Sequence, residues 1–512
     1  MLLLTILFPM LAGVAASVTP MPRRERLAWY TVVMLLTDAL GVWCMVKGTP
    51  VSLFPLTEGL YFYFKLDAIG RVFLSVVLFA YTLVCFYSFE YMSVEEREEA
   101  FFAFYFVSLG AVMSACMAGN LVTLYLCFEL ATLSSMPLVL HEGTKEAIAA
   151  ALKYLFYSIG GALLGLLAVV CLFWYGADAN QFLPGGFLDP SRIAGHETLL
   201  RAVTLCGIVG FGAKAGMYPL HGWLPTAHPI APAPASALLS GVIAKLGVLA
   251  VIRLVYFSAG PALIRDTWAQ YAWMCLAMGT IFMGSMMAFL EKVMKKRLAY
   301  SSISQISYIM LGLSLLNQGG FTGALLHFAA HAVSKGALFL CAGVFIYKLG
   351  RREASSLRGA GKLMPVTMWC FLIASLSLVG IPPMGGFTSK WYLAVSALGG
   401  GRGVFDVLPP VILLISAFLT AGYLLPVAVD AFFPGHDFSL KEAYKDCPAV
   451  QKLLPVNTGK PKKQKAVSLD GAAEPSALMT VPLALLCVAA LCVGLFGARF
   501  ADALADVIRG LV

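Results

Sequence analysis

Three basic side chains on one apolar segment are the clearest chemical feature of this sequence. His327, His331 and Lys335 follow one another at intervals of four residues, which places them on one face of a helix. Protons pass between such groups at hydrogen-bond range, directly or through water. The spacing therefore predicts a proton relay, whereas a single histidine on an apolar helix would more often be a satisfied core residue.

Further charged residues interrupt other apolar stretches. A charge at the centre of a membrane helix costs roughly 2.5–3.5 kcal/mol on insertion scales, so each is a functional candidate. We expect Glu129 and Lys214 to load and release a proton, because approach and separation of a buried carboxylate and ammonium change the proton affinity of both. Lys245 is then the next acceptor. A purely structural buried ion pair is the alternative.

Four other residues are candidates on the same grounds. Lys390 lies in a later apolar segment and completes the main set. The secondary candidates are Lys153, His221 and His228. Lys153 lies close enough to a helix end for its side chain to extend to the membrane surface instead of taking part in transfer.

The composition excludes a soluble protein and a disordered chain. Of the 512 residues, 60% are hydrophobic and 12% are charged, whereas soluble domains carry about 25% charged residues. The net charge of +9 does not indicate a nucleic-acid-binding surface, because the basic residues lie in short connecting segments. These residues are topology signals.

Apolar stretches of about 20 residues, the length that crosses a bilayer, recur along the chain. We predict an all-α polytopic fold of about fourteen transmembrane helices. Their centres lie near residues 10, 38, 78, 108, 130, 162, 208, 246, 280, 308, 336, 374, 418 and 486. The first run is a span and not a signal peptide, because its positive cluster follows it. Lysines and arginines concentrate in alternate loops, which predicts that both termini lie outside.

Two predicted spans are interrupted by proline and glycine. Pro219 falls in span seven, and Pro382 and Pro383 fall in span twelve. Each break lies near a lysine and the two are five spans apart, which predicts inverted five-helix repeats (spans 4–8 and 9–13) with discontinuous helices 7 and 12. A simple packing kink is the alternative. The predicted domains are residues 1–95, 96–260 and 261–433 (the two repeats, each a proton half-channel), 434–475 (a cytoplasmic loop) and 476–512.

The sequence predicts no metal or cofactor site in this chain. Its twelve cysteines include no C-x-x-C pair of the kind that holds zinc or an iron–sulfur cluster. We also expect no unpaired aspartate deep in a span, which argues weakly against a bare cation site. Moving one charge against 100 mV requires about 2.3 kcal/mol. Because no group in this sequence supplies that energy, we expect it to come from partner subunits.

The motifs around these candidates resemble those of a known family. They are Gly119 to Glu129, Lys214 to His228, Ala231 to Ser236, Lys296 to Ser304, His331 to Lys335, and Gly380 to Pro383 with Lys390. The chain from about residue 100 to 435 resembles the antiporter-like subunits of respiratory complex I, of energy-converting hydrogenases and of multisubunit (Mrp-type) cation/proton antiporters. The resemblance implies fourteen core helices in two inverted repeats, with an axis of buried charges along the membrane plane.

The resemblance also implies a role for each matching residue. Glu129 and Lys214 would be the modulating ion pair, and Lys245 the central proton carrier of the first half. His331 and Lys335 would lead to the second half, where Lys390 would be the terminal lysine. Some complex I members have a glutamate at that last position, so Lys390 places this chain nearer to the other members.

These features predict a proton-translocating subunit in a bacterial or archaeal cytoplasmic membrane. Redox chemistry in partner subunits, which would hold the iron–sulfur clusters, flavin or nickel–iron site, would drive it, as in an NADH:quinone oxidoreductase or a hydrogenase. The chain itself need not be an enzyme. A subunit of a Na+/H+ (Mrp-type) antiporter is the alternative, and a non-transporting spacer is a third hypothesis. The expected partners are other antiporter-like and small membrane subunits and H+, with Na+ in the antiporter, but no nucleic acid.

Overall fold

Helices account for almost all of the described chain. The computed structural model describes residues 1–57, 59–177, 181–447 and 471–511. The first part contains helices α1 (Leu2–Val18), α2 (Arg23–Lys47) and α3 (Ala68–Tyr91), strands β1 (Val51–Thr57) and β2 (Leu60–Phe64), and a 3-10 turn over Met92–Val94. The nearly all-helical fold predicted from the sequence is confirmed.

The remaining helices follow from residue 98 onward. Residues 96–260 form α4 (Glu98–Cys116), α5 (Leu121–Val139), α6 (Lys145–Trp174), α7 (Pro190–Ile193), α8 (Glu197–Ala215), α9 (Leu224–Ile230), α10 (Ala233–Gly241), a 3-10 turn (Ile243–Lys245), α11 (Leu246–Leu254) and a π-helical turn (Val255–Ala259). Residues 261–433 form α12 (Pro261–Ile264), α13 (Trp268–Leu290), α14 (Met294–Ser314), α15 (Gln318–Leu349), a 3-10 turn (Ala354–Leu357), α16 (Ala360–Leu363), α17 (Pro365–Val379), α18 (Gly385–Leu398) and α19 (Val404–Phe432). The last described helices are α20 (Leu440–Ala443), α21 (Ala477–Leu495) and α22 (Gly497–Ile508).

All the predicted span centres fall within helices, but not all of these helices meet the same criterion. Within the described residues, eleven helical segments are long and apolar enough to cross a membrane. The centres near 10, 308 and 374 fall in α1, α14 and α17, which are not among them. The count of about fourteen spans and their arrangement as inverted repeats therefore stay predictions.

Polar side chains determine where several helices begin. The side chains of Asp67, Asn120, Thr144 and Asn317 accept a hydrogen bond from the backbone N–H three residues on, at the starts of α3, α5, α6 and α15. Such caps satisfy one of the N–H groups that a helix N-terminus leaves unpaired. Two of these caps fix the starts of α5, which carries Glu129, and of α15, which carries His327 and His331.

A β-hairpin between α2 and α3 is the one sheet in the described part of the chain. Val51 pairs with Phe64 and Ser52 pairs with Tyr63 in antiparallel register. The run from Leu60 to Phe64 is made of aromatic and aliphatic side chains, a composition that favours strands. The hairpin lies against the start of α5, where the N–H of Gly119 donates to the carbonyl of Tyr63 at 2.9 Å.

Helix ends and loops predicted on the same side of the membrane contact one another. On the predicted positive side, Arg23 pairs with Glu98 at 2.8 Å and Lys348 pairs with Glu90 at 3.1 Å. On the other side, Arg402 donates to the carbonyl of Leu315 at 3.1 Å. This grouping agrees with the alternation of basic loops along the sequence.

The segment 434–475 is only partly described. Residues 448–470, which include several of the lysines counted as topology signals, lie outside the described residues. At its described end, Glu474 accepts hydrogen bonds from the backbone of Val366 and Thr367 at 2.9 and 3.0 Å, next to the start of α17. The division of the chain into five domains stays a prediction.

Candidate functional site

Lys214 links the two helices that carry the predicted acid–base pair. It lies in the last turn of α8 and is fully buried. Its Nζ donates to Thr132 Oγ1 at 2.6 Å and to the Phe128 carbonyl at 3.3 Å, and lies 4.4 Å from the centroid of the Phe128 ring. Both acceptors belong to α5, so Lys214 is held by neutral groups.

Glu129 lies on the same helix as these acceptors but is not in contact with Lys214. It is half-buried, and its buried Oε1 has no hydrogen-bond partner among the described residues. Lys214 acts electrostatically on Glu129. The two residues nevertheless do not form an ion pair with each other in the described chain. In this structure the two charges are neighbours, and Thr132 takes the contact that Glu129 would make.

Lys245 lies at a third helix interruption, which the sequence pattern did not indicate. Its 3-10 turn separates α10 from α11. The Nζ donates to the carbonyls of Ser240 and Gly241 at 2.7 and 2.6 Å. These are the last two residues of α10, whose carbonyls have no partner within the helix. Gly241 and Gly247, which flank Lys245 in the sequence, are the signal that could have indicated the break.

Lys390 makes the equivalent contact in the second half of the chain. Pro382 and Pro383 lie between α17 and α18, and Gly380 ends α17 with a φ of 89°. From α18, Lys390 Nζ donates to the carbonyls of Leu378 and Val379 at 2.6 and 2.9 Å. The break predicted in span twelve is present, and the lysine binds the helix end that the break exposes.

The break predicted in span seven is also present and holds the secondary candidates. Pro219 and His221 lie between α8 and α9, and the His221 ring stacks on Tyr218 at 5.8 Å. Lys153 contacts this region from α6, because its Nζ donates to Thr226 Oγ1 in α9 at 3.0 Å. His228, near the end of α9, is fully buried against the Phe339 ring at 4.7 Å.

The three basic residues of α15 are buried on its inner side. His327 Nδ1 lies 2.8 Å from Ser389 Oγ, and the rings of His327 and His331 are 6.0 Å apart. Lys335 Nζ donates to the Leu298 carbonyl at 2.9 Å. Because Ser389 precedes Lys390, α15 connects the neighbourhood of Lys335 to the second helix break.

Buried polar atoms without a protein partner concentrate along this set of residues. In the described chain they include atoms of Glu129, His221, His228, Gln305, His327 and His331. Most buried polar groups in proteins are paired, and the exceptions mark internal water, ions or catalytic groups. The sequence pattern did not indicate Gln305, whose two amide atoms are both in this group.

One aspartate contradicts an expectation from the sequence. Asp38 lies in the middle of α2, where one carboxylate oxygen accepts from Thr82 at 2.7 Å and the other is buried without a partner among the described residues. The expectation that no such aspartate lies deep in a span is wrong. Asp38 is on the α2–α3 contact, away from the lysines described above. No group of three metal-binding side chains occurs in the described part of the chain.

Two family models match the chain. One, described as the transmembrane region of NADH:quinone oxidoreductases and Mrp antiporters, matches residues 118–420. The other, described as the N-terminus of chain 5 of complex I, matches residues 58–102. The first alone covers more than half of the sequence and contains all the main site candidates.

Curated relatives come from each of the three assemblies that the motifs suggested. NADH-quinone oxidoreductase subunit N of Desulforudis audaxviator is 36% identical over 66% of this chain and 66% of its own length. Hydrogenase-4 component B of Escherichia coli is 33% identical over 64% and 50%, and a Na(+)/H(+) antiporter subunit of Alkalihalophilus pseudofirmus is 30% identical over 62% and 63%. The matches thus span half to two thirds of these relatives.

A solved structure shares the fold over nearly the whole chain. A chain of the Mrp complex from Dietzia sp. superposes with a TM-score of 0.80 at 21% identity, covering 99% of this chain and 97% of that one. The resemblance inferred from the motifs is confirmed. The chain is a multi-pass membrane protein and belongs to the family of membrane subunits shared by NADH:quinone oxidoreductases and Mrp antiporters.

Proposed function

We propose that this chain is the proton-translocating membrane subunit of a redox-driven ion pump, of the NADH:quinone oxidoreductase or energy-converting hydrogenase type. One observation carries the proposal. Lys214, Lys245, Lys335 and Lys390 are all held by neutral oxygen atoms and not by carboxylates. A lysine held in this way can release and regain its proton without breaking an ion pair.

The lysine axis is the main set of site residues, namely Glu129, Lys214, Lys245, His327, His331, Lys335 and Lys390. The side chains of this axis favour protons over a metal cation. Hard cations are bound by several oxygen ligands, usually carboxylates and carbonyls. On the axis only Glu129 supplies a carboxylate, whereas lysines and histidines supply nitrogen atoms that bind protons. Proton transfer needs donors and acceptors that reach one another directly or through water. Lysine and histidine side chains can act as both.

The charges of the axis act on one another, which provides a mechanism of coupling. Lys245 acts electrostatically on Lys335, His327 and His331, and Lys390 acts on both histidines. Like charges in a low-dielectric interior repel one another. A proton that arrives on Lys245 therefore favours release from Lys335, and a change at Glu129 and Lys214 starts the sequence.

Partner subunits would supply the driving force. Relatives in this family are named as subunits of larger assemblies, and we infer that iron–sulfur clusters, flavin or a nickel–iron site reside in the partners of this chain. We place the complex in a bacterial or archaeal cytoplasmic membrane with both termini outside, because the basic loops cluster on one face.

Proton pumping by the whole complex tests this function. Lys245→Ala in the complex, purified in mild detergent and reconstituted into vesicles, is expected to abolish donor-driven acidification while the complex still assembles. Lys292→Ala, an exposed lysine of a connecting segment, is the matched control. Pumping at the full parental rate by the Lys245 variant would contradict the proposal. Loss of assembly alone, with normal pumping by the complexes that form, would support a structural spacer.

A Na+/H+ antiporter subunit is the second candidate. Identity of 30% to a Na(+)/H(+) antiporter subunit and the lysine at position 390 favour it. This candidate differs in its energy source, because one ion gradient would drive the other. Sodium-dependent proton flux in vesicles without an electron donor would select the antiporter, and co-purification with redox subunits would select the pump.

A further inference from the structure

Lys295 is a buried lysine that the pathway described above does not use. It follows the first residue of α14, in a cluster of basic residues that the sequence marks as a surface loop, yet only 4% of its surface is exposed. Its Nζ donates to the carbonyls of Ala231 and Pro229, at 2.5 and 3.3 Å. These lie at the C-terminal end of α9. Lys295 is thus a third lysine bound to the end of an interrupted helix.

A small acidic cavity lies near Lys295, although Lys295 is not one of its lining residues. It has a volume of about 190 Å³ and lies between the α3–α4 and α5–α6 connections. Its lining consists of three carboxylates, one guanidinium, one imidazole and one aliphatic side chain, from Glu95, Glu96, Glu142, Arg97, His141 and Val94. Both carboxylates, together with the cation of Arg352, act electrostatically on Lys295. Burial and the charge of Glu142 raise the pKa of Glu95, whereas Lys295 and Arg352 lower it. Glu142 is exposed and Glu95 is half-buried, so both carboxylates can exchange protons with water.

His228 lies on the inner side of Lys295. The residue after it, Pro229, provides one of the two carbonyls that bind Lys295. Neither ring nitrogen of His228 has a partner in the described chain, and the two cations acting on the ring are Lys295 and Lys335. Lys335 in turn binds the carbonyl of Leu298, one turn along α14 from Lys295. The three basic groups therefore meet around the first two turns of α14.

We infer that Glu95 and Glu142 collect protons at this cavity and that Lys295 and His228 pass them to Lys335. In the first step a hydronium ion loses an O–H bond, becomes water, and a carboxylate gains an O–H bond. Transfer to Lys295 breaks that O–H bond and forms an N–H bond, and each later transfer breaks one N–H bond and forms another. No oxidant or other co-reactant is needed. The inference rests on the proposed function, since it gives the relay on α15 a source of protons on the positive-loop side.

Electrostatics explain why the groups stand in this order. Carboxylates at the mouth of a cleft focus a negative potential, which raises the local concentration of cations, including protons. Lys295 and Lys335 both act on His228, so a proton on the ring is repelled from both sides. The proton on His228 therefore transfers to whichever of the two lysines is neutral. His228 is thus a transient carrier of the proton.

The central experiment compares Lys295→Ala and His228→Ala with Lys296→Ala in the complete complex in vesicles. Lys296 is adjacent in sequence but half-exposed and paired with Glu291 at 2.8 Å. The first two variants are expected to slow donor-driven pumping about a hundredfold, the lower end of the usual range for loss of a proton-transfer group, and Lys296→Ala to pump normally. Imidazole added on the cavity side is expected to restore part of the rate of His228→Ala, which loss of structure alone would not allow.

A second pair of variants tests the mouth of the cavity without disturbing the core. Glu95→Gln with Glu142→Gln is expected to slow pumping at low buffer concentration, with recovery when a mobile buffer delivers protons instead. Glu146→Gln, an exposed carboxylate in the first turn of α6, is the control. Because these carboxylates lie at the surface, this test applies even if the Lys295 variant does not assemble. Normal pumping by the double variant at low buffer would overturn the inference.

The outcomes separate this inference from the proposed function. If Lys295→Ala pumps at the parental rate while Lys245→Ala does not, protons enter elsewhere and the pump assignment stands. If Lys245→Ala also pumps at the parental rate, the pump assignment itself is wrong.

Discussion

Lys245 and Lys390 make the same contact in the two halves of the chain. Each ammonium donates to the last two backbone carbonyls of a helix that ends at a break, those of Ser240 and Gly241 in α10 and those of Leu378 and Val379 in α17. The C-terminus of a helix carries a partial negative charge, which stabilises a nearby cation. Each lysine therefore has two roles, as a cap of a broken helix and as a candidate proton carrier.

Replacement by arginine should separate these two roles. In Lys245→Arg and Lys390→Arg, the guanidinium can still donate to the helix-end carbonyls, but it does not release its proton in proteins. We expect both variants to assemble with thermal stability near that of the parent and to lose most donor-driven pumping. Pumping in vesicles and thermal unfolding of the purified complex measure the two properties separately.

Methionine at the same positions should remove both roles. Leaving the helix-end carbonyls without a donor costs about 1–3 kcal/mol per buried group, so Lys390→Met should lower the unfolding temperature as well as the pumping rate. Lys362→Met, an exposed lysine of α16, is the control. An arginine variant that pumps normally would show that the lysine is a cap and nothing more.

The contact between Lys214 and Thr132 should regulate the acid–base pair. The Thr132 hydroxyl accepts from Lys214 at 2.6 Å and competes with Glu129 for the ammonium. Thr132→Val removes this competitor, so Lys214 is expected to pair more tightly with Glu129 and pumping to slow several-fold, by about 1 kcal/mol in the barrier. Ser134→Ala is a matched control, because that hydroxyl bonds only to its own helix, at 3.3 Å. Faster or unchanged pumping by Thr132→Val would contradict the competition.

The positions of His327, His331 and Lys335 could be predicted because helical spacing alone determines them. The four-residue interval of His327, His331 and Lys335 places them on one face whatever surrounds the helix. The breaks in spans seven and twelve were also predictable, because proline removes a helix hydrogen bond wherever it occurs. Both predictions depend on residues close together in the sequence.

The partners of these residues could not be predicted, because they come from distant parts of the chain. Lys295 lies among basic residues in the sequence, and in the fold it is buried with its ammonium bound to the end of α9. The break at Lys245 contains no proline and lies between Gly241 and Gly247 in a wholly buried segment. Thr132 and Ser389 are ordinary hydroxyl residues in the sequence, and they acquire a role only where another helix brings a lysine or histidine to them.

Glu291 should make stability depend on pH at the positive-loop face. Although burial opposes ionisation, hydrogen bonds from Lys296 and from the backbone N–H groups of Val293 and Lys292 hold the pKa of Glu291 below its ordinary value. A carboxylate with a lowered folded-state pKa stabilises the fold above its ordinary pKa, and this contribution is lost as pH falls through the lowered value. Glu291→Gln should lower stability by about 1 kcal/mol at neutral pH and by less in acid. Thermal unfolding across the acidic range measures this, with exposed Glu353→Gln as control.

Asp67 and Arg253 should control stability without controlling pumping. Arg253 is 1% exposed, donates to both Asp67 carboxylate oxygens at 2.5 and 2.6 Å, and lies over the rings of Phe182 and Phe257 at 4.7 and 4.6 Å. Asp67 also caps α3, and asparagine can keep that cap. Asp67→Asn therefore isolates the loss of charge.

Removal of one partner of a buried ion pair leaves an uncompensated charge, which typically costs about 3–5 kcal/mol. We expect about 3 kcal/mol for Asp67→Asn, because the Asp67 side chain is partly exposed and water solvates part of the charge. The unfolding temperature should fall, while pumping per assembled complex stays normal, because neither residue contacts the lysine axis. Replacing Arg253 by Met in the Asp67→Asn background should recover part of the loss, since no buried charge then remains. A pumping defect that persists in fully assembled Asp67→Asn complexes would instead place this pair in the proton path.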